Sequence, residues 1–370
     1  MTRKFFIKRS KMWKHRTLGQ DQVPPCYNRW RGFCTRIVLV FGLVLPSFGQ
    51  ATWDAEEISE IFDGVHFDMS AAIARVEAKG ITPYDFGRDL LVAGEGEKAK
   101  QWYQSLAIAT KEPQYLYGLA YVKRQTGDNH GALKDAYFLM HKNPPQLIRA
   151  RTLYLLGGIN LDERRFEEAR KNLQEGLEAY AQLNKFGGQY LCLSMMAWGA
   201  VFEGNYDAVE PLLDRALEFN EKIRSKGKEP YGLGRYHEII GELQFAQKNY
   251  FASLLAAEQS KEAYQESGLQ YHSEEMQAKI GLLKLMTGEP QEASRIATEL
   301  WEKHHKSLDR GRLLAYNNVT LMKLSECAKI EVDRENKHEA AMDWANSAPG
   351  GKALIELLSF VKKSPCPEWR

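Results

Sequence analysis

The chain has 370 residues, of which 44% are apolar, and this is enough to bury a substantial core. Its formal net charge is only +2, but ten Lys or Arg residues and one acidic residue lie within positions 1–50. Residues 51–370 therefore hold 40 basic and 47 acidic side chains and carry a net charge of −7. An acidic body without a basic stripe excludes nucleic acid as the expected partner, because nucleic-acid binding depends on a basic face that neutralises phosphates.

The basic N-terminal segment is followed by an apolar run over residues 37–45 and by small residues around Gly49 and Ala51. This run is shorter than the roughly 20 residues with which a helix crosses a bilayer. A basic region, a short apolar core and small residues at a cleavage site are typical of a secretory signal peptide. We therefore expect residues 1–50 to direct export to the periplasm or cell envelope. The basic region is unusually long, which is explained by a translation start at Met12 or by an uncleaved membrane anchor, which would be the chain's contact with a membrane. The alternative to export is a buried helix of a cytosolic protein.

Two short helical patterns precede the repeated part of the chain. They cover residues 54–62 and 68–79, and Ile73 and Val76 give the second an apolar stripe. The end of a stacked array must be covered, because its terminal unit would otherwise expose an apolar face. Residues 51–80 are therefore predicted to be N-terminal capping helices.

Residues 81–306 repeat one pattern six times. Each repeat has a small or apolar anchor residue, and the six anchors are Ala99, Ala132, Ala169, Val209, Ser253 and Ala293. Twelve positions before each anchor lies a Gly or Ala: Gly87, Ala120, Gly157, Ala197, Gly241 and Gly281. Thirteen positions before each anchor lies an apolar residue: Phe86, Leu119, Leu156, Met196, Ile240 and Ile280. The anchor spacings of 33, 37, 40, 44 and 40 residues are typical of stacked repeats.

Each repeat is predicted to form two antiparallel helices. Small or apolar residues recur four and seven positions after every anchor, which places them with the anchor on one face of a second helix. Turn-like stretches at residues 126–129, 203–205 and 287–290 separate this helix from the one before it. The Gly or Ala of the first helix would allow two backbones to approach where Leu would hold them apart.

These residues resemble the tetratricopeptide repeat (TPR) family. The matching residues are Leu153, Leu156-Gly157, Phe166, Ala169, Gly204-Asn205-Tyr206, and Asn143-Pro144 at the end of a unit. The family's first-helix Trp is absent, and the later units exceed the usual length of about 34 residues. The resemblance implies an all-α fold, a right-handed superhelical solenoid of about six to seven antiparallel helix pairs.

Residues 307–370 are predicted to hold a degenerate seventh helix pair and a C-terminal capping helix. The pair would cover residues 313–330 and 334–347, and the capping helix residues 352–363. Three cysteines remain once the leader is removed. Cys192 is predicted to be a small buried hydrophobe. The sequence leaves undecided whether Cys327 and Cys366 form a disulfide.

No motif indicates an enzyme. Gly350-Gly351-Lys352 lacks the first Gly and the final Ser or Thr of a phosphate-binding loop. His304 and His305 are adjacent, so on a helix they point about 100° apart and cannot share a metal ion as an i, i+4 pair does. The acidic pairs Asp162-Glu163 and Glu274-Glu275 are interpreted as solvated faces. We expect no catalysis, cofactor or metal; an active site assembled in a groove from distant residues is the alternative.

The resemblance implies that first helices line a concave groove. Fifteen and eleven positions before the anchors, the early repeats are rich in Tyr and Arg. The predicted partner-binding groove consists of Tyr84, Arg88, Tyr117, Tyr121, Arg124, Arg151, Tyr154 and Trp198. Aromatic rings with polar tips are favoured at binding hot spots, and the arginines would meet carboxylates of a peptide or helix. Alternatively, the tyrosines pack between helices. Glu238 and Glu242 predict an acidic far end of the groove.

The predicted function is that of a scaffold or adaptor in the cell envelope, which binds another protein or a peptide in this groove. The alternative is a regulatory TPR protein in which a peptide or ligand changes the pitch of the superhelix.

Overall fold

The computed structural model describes Ile58, Ile61, Phe62 and residues 69–92, 95–224, 232–304 and 311–327, all within a compact unit that spans residues 53–370. The predicted leader, the helices predicted at 334–347 and 352–363, and the Cys327–Cys366 pairing lie outside the described residues.

All regular structure in the described part of the chain is helical, which confirms the predicted all-α class there. The helices are α1 Met69–Ala78, α2 Pro83–Val92, α3 Gly96–Thr110, α4 Pro113–Gln125, α5 Asn129–His141, α6 Gln146–Asp162, α7 Phe166–Gln182, α8 Phe186–Glu203, α9 Val209–Arg224, α10 Gly232–Ala246, α11 Tyr250–Glu266, α12 Gln270–Met286, α13 Pro290–His304 and α14 Gly311–Cys327. A short 3₁₀ turn, Tyr206–Ala208, leads into α9.

Consecutive helices pack against each other along the chain, as a helical repeat requires. The pairs α2–α3, α4–α5, α6–α7, α8–α9, α10–α11 and α12–α13 correspond to the six repeats of the sequence. The first helices of neighbouring pairs also touch, α2 with α4, α4 with α6, α6 with α8 and α8 with α10, and α14 packs on α12 and α13. The first helices therefore form a continuous layer.

The repeated columns form the interface within each pair. All six anchor residues have a relative exposure of 0%. The residues four and seven positions after each anchor are buried as well. In the four pairs whose small column holds Gly, this Gly lies against a side chain three or four positions after the anchor: Tyr103, Leu173, Ala256 and Ile296. One sequence pattern therefore produces a similar helix contact repeatedly.

Left-handed residues end the first helices at the predicted turns. Gly127, Gly204 and Gly288 have φ of 84°, 83° and 96°. The third pair lacks such a Gly, and Arg164 adopts the left-handed conformation instead, with φ of 60°. Here the following amide, Arg165 N, donates to Asn160 O at 2.7 Å, so the hydrogen bond that ends the helix holds a conformation unfavourable for Arg.

The first pair is joined by two hydrogen bonds from aromatic side chains. Trp102 Nε1 donates to Pro83 O at 2.7 Å, and Tyr103 Oη donates to Tyr84 O at 2.6 Å. Both rings are buried, and Phe86 contacts Trp102 edge-to-face. These contacts fix the first turn of α2 on α3 and so position Tyr84.

Close approach of two helices depends on Gly118. A Cβ atom there would lie 2.5 Å from Cε1 of Tyr103, a buried ring that cannot easily withdraw because its hydroxyl is bonded to Tyr84. We expect Gly118→Ala to lower the free energy of unfolding by about 1–3 kcal/mol. Urea denaturation followed by circular dichroism measures this. Gly187→Ala in α8 is the control, because no atom lies within 4 Å of its added Cβ, and we expect it to raise stability by about 0.5–1 kcal/mol. Equal effects of the two changes would contradict the close packing.

The prediction that the two acidic pairs are solvated is wrong for three of the four residues. Asp162, Glu274 and Glu275 are 4%, 7% and 3% exposed. Each finds a partner on its own or another helix: Arg124 for Asp162, Lys303 and His304 for Glu274, and His272 and Tyr271 for Glu275. His304 is itself buried. The prediction for Cys192 is confirmed: the thiol is fully buried, and burial raises its pKa to about 12.

Candidate partner-binding site

Aromatic and guanidinium side chains of the first helices meet on one surface, which we call the tyrosine–arginine face. It consists of Tyr84, Tyr117, Tyr121, Arg151, Tyr154, Trp198 and Arg235. These residues come from α2, α4, α6, α8 and α10, the first helices of five successive pairs. All are half-buried except Tyr117, which is only 8% exposed.

Arg151 joins three pairs at one end of this face. Its Cζ atom lies 5.7 Å from the ring centroid of Tyr84 on α2 and 6.0 Å from that of Tyr117 on α4. Tyr117 in turn stacks on Tyr121 with centroids 6.3 Å apart. A guanidinium near two aromatic rings is held by their negative faces, so Arg151 is oriented although no carboxylate of the described ranges pairs with it.

Arg235 provides a similar contact at the other end of the face. Its Cζ atom lies 4.5 Å from the ring centroid of Trp198, which itself contacts Phe202. The sequence prediction omitted Arg235, although the signal was present. Arg235 lies 18 positions before its anchor Ser253, as Arg151 lies 18 positions before Ala169.

Two of the predicted site arginines have carboxylate partners within the chain. Arg124 is buried, and its Nε and Nη2 donate to the Asp162 carboxylate at 2.8 and 3.3 Å. Gly158 leaves the space for this guanidinium, since a Cβ there would lie 2.6 Å from Arg124 Cζ. Arg88 is exposed and lies 3.5 Å from Asp85. Arg124 therefore braces α4 against α6 and is satisfied there, and Arg88 lies at the exposed edge of the face.

The phenols of the face stay protonated at neutral pH. Burial raises the pKa of Tyr121, and the charges of Arg124, Arg235 and Arg88 oppose this without cancelling it. Burial likewise raises the pKa of Tyr154 against the opposing charges of Arg235 and Arg124. Because Arg235 acts on tyrosines of the second and third pairs, side chains from α4, α6 and α10 converge. The face thus offers hydroxyl donors beside cations.

The predicted acidic end of the groove is wrong, because both glutamates are buried and paired. Glu238 accepts a hydrogen bond from Tyr264 Oη at 2.6 Å. Glu242 lies 2.9 Å from Lys279 Nζ and accepts from Tyr316 Oη at 3.1 Å. Burial of an unpaired carboxylate is costly, so these partners hold both glutamates inside. They connect α10 to α11, α12 and α14.

This arrangement combines three kinds of side chain that binding sites use. Rings, hydroxyl donors and cations give contact area and charge-assisted hydrogen bonds. In the described ranges, no three His, Cys, Asp or Glu side chains come together as a metal-ion set. The same part of the chain contains no helix long and apolar enough to span a membrane.

Comparisons of the sequence with models of known protein families and with curated proteins give no match. What the described residues establish is an all-helical array in which each helix packs on the next and the first helices carry the tyrosine–arginine face.

Proposed function

We propose that this chain is a non-enzymatic adaptor of the TPR type, which binds a peptide or partner helix along the tyrosine–arginine face. The observation that carries the proposal is a row of half-buried rings across four first helices, with two guanidinium groups, Arg151 and Arg235, that have no carboxylate partner among the described residues. In the superhelix that the repeat pattern implies, this face lies on the concave side.

The physical argument rests on what these side chains gain from a ligand. Half-buried Tyr and Trp rings lose their remaining water when another chain covers them, and such residues dominate binding energy in most interfaces. A rigid layer of packed helices presents them at little entropic cost. A purely structural role would leave the guanidinium groups paired with carboxylates of the same chain, as Arg124 is.

The proposed place of action is the cell envelope, and it rests on residues 1–50. Their basic region, short apolar core and small residues favour export. The body that would reach the envelope carries a net charge of −7. An adaptor there would act by holding an exported or membrane-bound partner.

Replacement of Tyr121 by Ala tests the proposal. The immobilised full-length chain captures partners from envelope extract, and quantitative mass spectrometry compares wild type with Tyr121→Ala. We expect a stoichiometric partner on the wild type and a loss of affinity of about 2 kcal/mol, roughly 30-fold, in the variant. Stability should fall little, because the Tyr121 ring is half-buried.

The matched control is Tyr137→Ala. Tyr137 lies on the second helix α5 and is 48% exposed, so the same atoms are removed from the opposite side of the pair. Its capture should equal that of the wild type. Loss of the partner in Tyr137→Ala with retention in Tyr121→Ala would contradict the proposal.

A further inference from the structure

Arg235 has no carboxylate partner among the described residues. It is the fourth residue of α10, it is half-buried, and its guanidinium lies over Trp198. Nη2 is 3.9 Å from the thioether sulfur of Met195, which is a weak acceptor. Nε is buried and has no hydrogen-bond acceptor among the described residues. A half-buried cation without an oxygen acceptor is incompletely solvated, so this site gains free energy when an oxyanion reaches its Nη groups.

The groups around Arg235 favour a single negative charge. Tyr154, Tyr190 and Tyr264 act on it electrostatically, and so does Glu238. Glu238 accepts a hydrogen bond from the hydroxyl of Tyr264. Its charge repels a second negative charge at the same place. A carboxylate therefore fits better than a phosphate dianion, which would bring two charges beside Glu238.

The same arrangement occurs a second time. Arg151 occupies the same offset from its anchor two repeats earlier, it also lies against aromatic rings, and it too has no carboxylate partner among the described residues. Tyr121 stacks on Tyr117, which lies beside Arg151, and Arg235 acts electrostatically on Tyr121 and Tyr154. An occupant that satisfies the whole face carries two acidic groups with apolar contact surface between them.

We propose that the tyrosine–arginine face binds an acidic peptide segment, in which one carboxylate pairs with Arg235 beside Trp198 and a second pairs with Arg151. This inference rests on the proposed function and specifies its ligand. The planar guanidinium matches a carboxylate through hydrogen bonds from its Nη groups to the two oxygens. Tyr121 and Tyr154 contact the apolar stretch between the two acidic side chains.

Peptide selection followed by exchange of single groups tests the inference. The full-length chain selects binders from a displayed library of random dodecapeptides, and the enriched sequence is synthesised with Glu, with Gln and with phosphoserine at each acidic position. We expect acidic residues to be enriched, and Arg235→Gln to weaken the Glu peptide about 10- to 100-fold. The affinity of Arg235→Lys for the Glu peptide should lie between those of wild type and Arg235→Gln, since lysine keeps the charge and loses the bidentate geometry.

Two controls isolate the carboxylate contact. Arg295→Gln removes the same charge from an exposed position on α13, where Arg295 pairs with Glu292 and Glu299, and it should leave the affinity unchanged. The Gln peptide lacks the carboxylate that faces Arg235, so wild type and Arg235→Gln should bind this peptide with equal affinity. Because that peptide is also measured on wild type, the comparison decides the question even if Arg235→Gln fails to fold.

Each contrary result has its own meaning. Equal affinity of wild type and Arg235→Gln for the Glu peptide, while Tyr121→Ala still loses it, overturns the carboxylate site and leaves the proposed function standing. Tighter binding of the phosphoserine peptide than of the Glu peptide overturns the choice of a carboxylate. Failure to enrich any peptide on wild type overturns both the inference and the peptide-binding function.

Discussion

Lys279→Met is expected to lower the free energy of unfolding by about 3–5 kcal/mol. Lys279 on α12 is 1% exposed, and its Nζ lies 2.9 Å from the carboxylate of Glu242, which is 4% exposed on α10. Without the ammonium group, this carboxylate stays buried without its cation, and Tyr316 alone does not replace a charge. Urea denaturation followed by circular dichroism measures the loss.

Two further variants separate this effect from the loss of a lysine. Lys284→Met on the same helix removes an ion pair with the half-exposed Glu289, 3.1 Å away, and should cost less than about 1 kcal/mol. The double variant Lys279→Met with Glu242→Leu removes both charges and should recover most of the stability. If Lys279→Met were no more damaging than Lys284→Met, the buried ion pair would not hold α10 and α12 together.

Tyr117→Ala is expected to cost about 3–5 kcal/mol of stability, as deletion of a large buried ring does. The sequence placed Tyr117 among the ligand contacts. In the structure it is 8% exposed and packs with Ala120, Ala136 and Leu156 in the core of the second and third pairs. Thermal denaturation of the variant measures the loss, and peptide affinity at a temperature where it is folded measures any effect on binding.

Tyr121→Ala provides the contrast, because the two rings stack on each other in one helix. We expect Tyr117→Ala to lose mainly stability and Tyr121→Ala mainly affinity. The reverse pattern, with a stable Tyr117→Ala that no longer binds, would return Tyr117 to the ligand contacts and contradict its place in the core.

The helix pairs could be predicted from the sequence because the residues that form each pair lie close together along the chain. The Gly or Ala twelve positions before an anchor and the helix face around that anchor lie on adjacent helices joined by a short turn, so the contact between the two helices recurs at a fixed offset. The anchors are fully buried in all six repeats for this reason. The same regularity made Tyr84, Tyr121 and Tyr154 recognisable on the first helices.

The buried charges could not be predicted, because their partners come from distant positions. Asp162 follows Arg124 by 38 residues, and Tyr316 follows Glu242 by 74. An isolated acidic residue gives no sign of a cation on another helix, so it is assigned to solvent. The left-handed Arg164 was missed for a related reason, since its conformation is imposed by the helix-ending hydrogen bond rather than by its own preference.

Position-specific photo-crosslinking tests the central claim, that partners bind at the tyrosine–arginine face, most directly. A photoreactive phenylalanine analogue is placed at Tyr121 and, as controls, at Ile108 on α3 and Phe251 on α11, which are 71% and 73% exposed on second helices. The full-length chain is irradiated in cells that produce it. We predict a crosslinked partner from position 121 and none from positions 108 and 251. A partner crosslinked from position 108 or 251, and none from 121, would contradict the account.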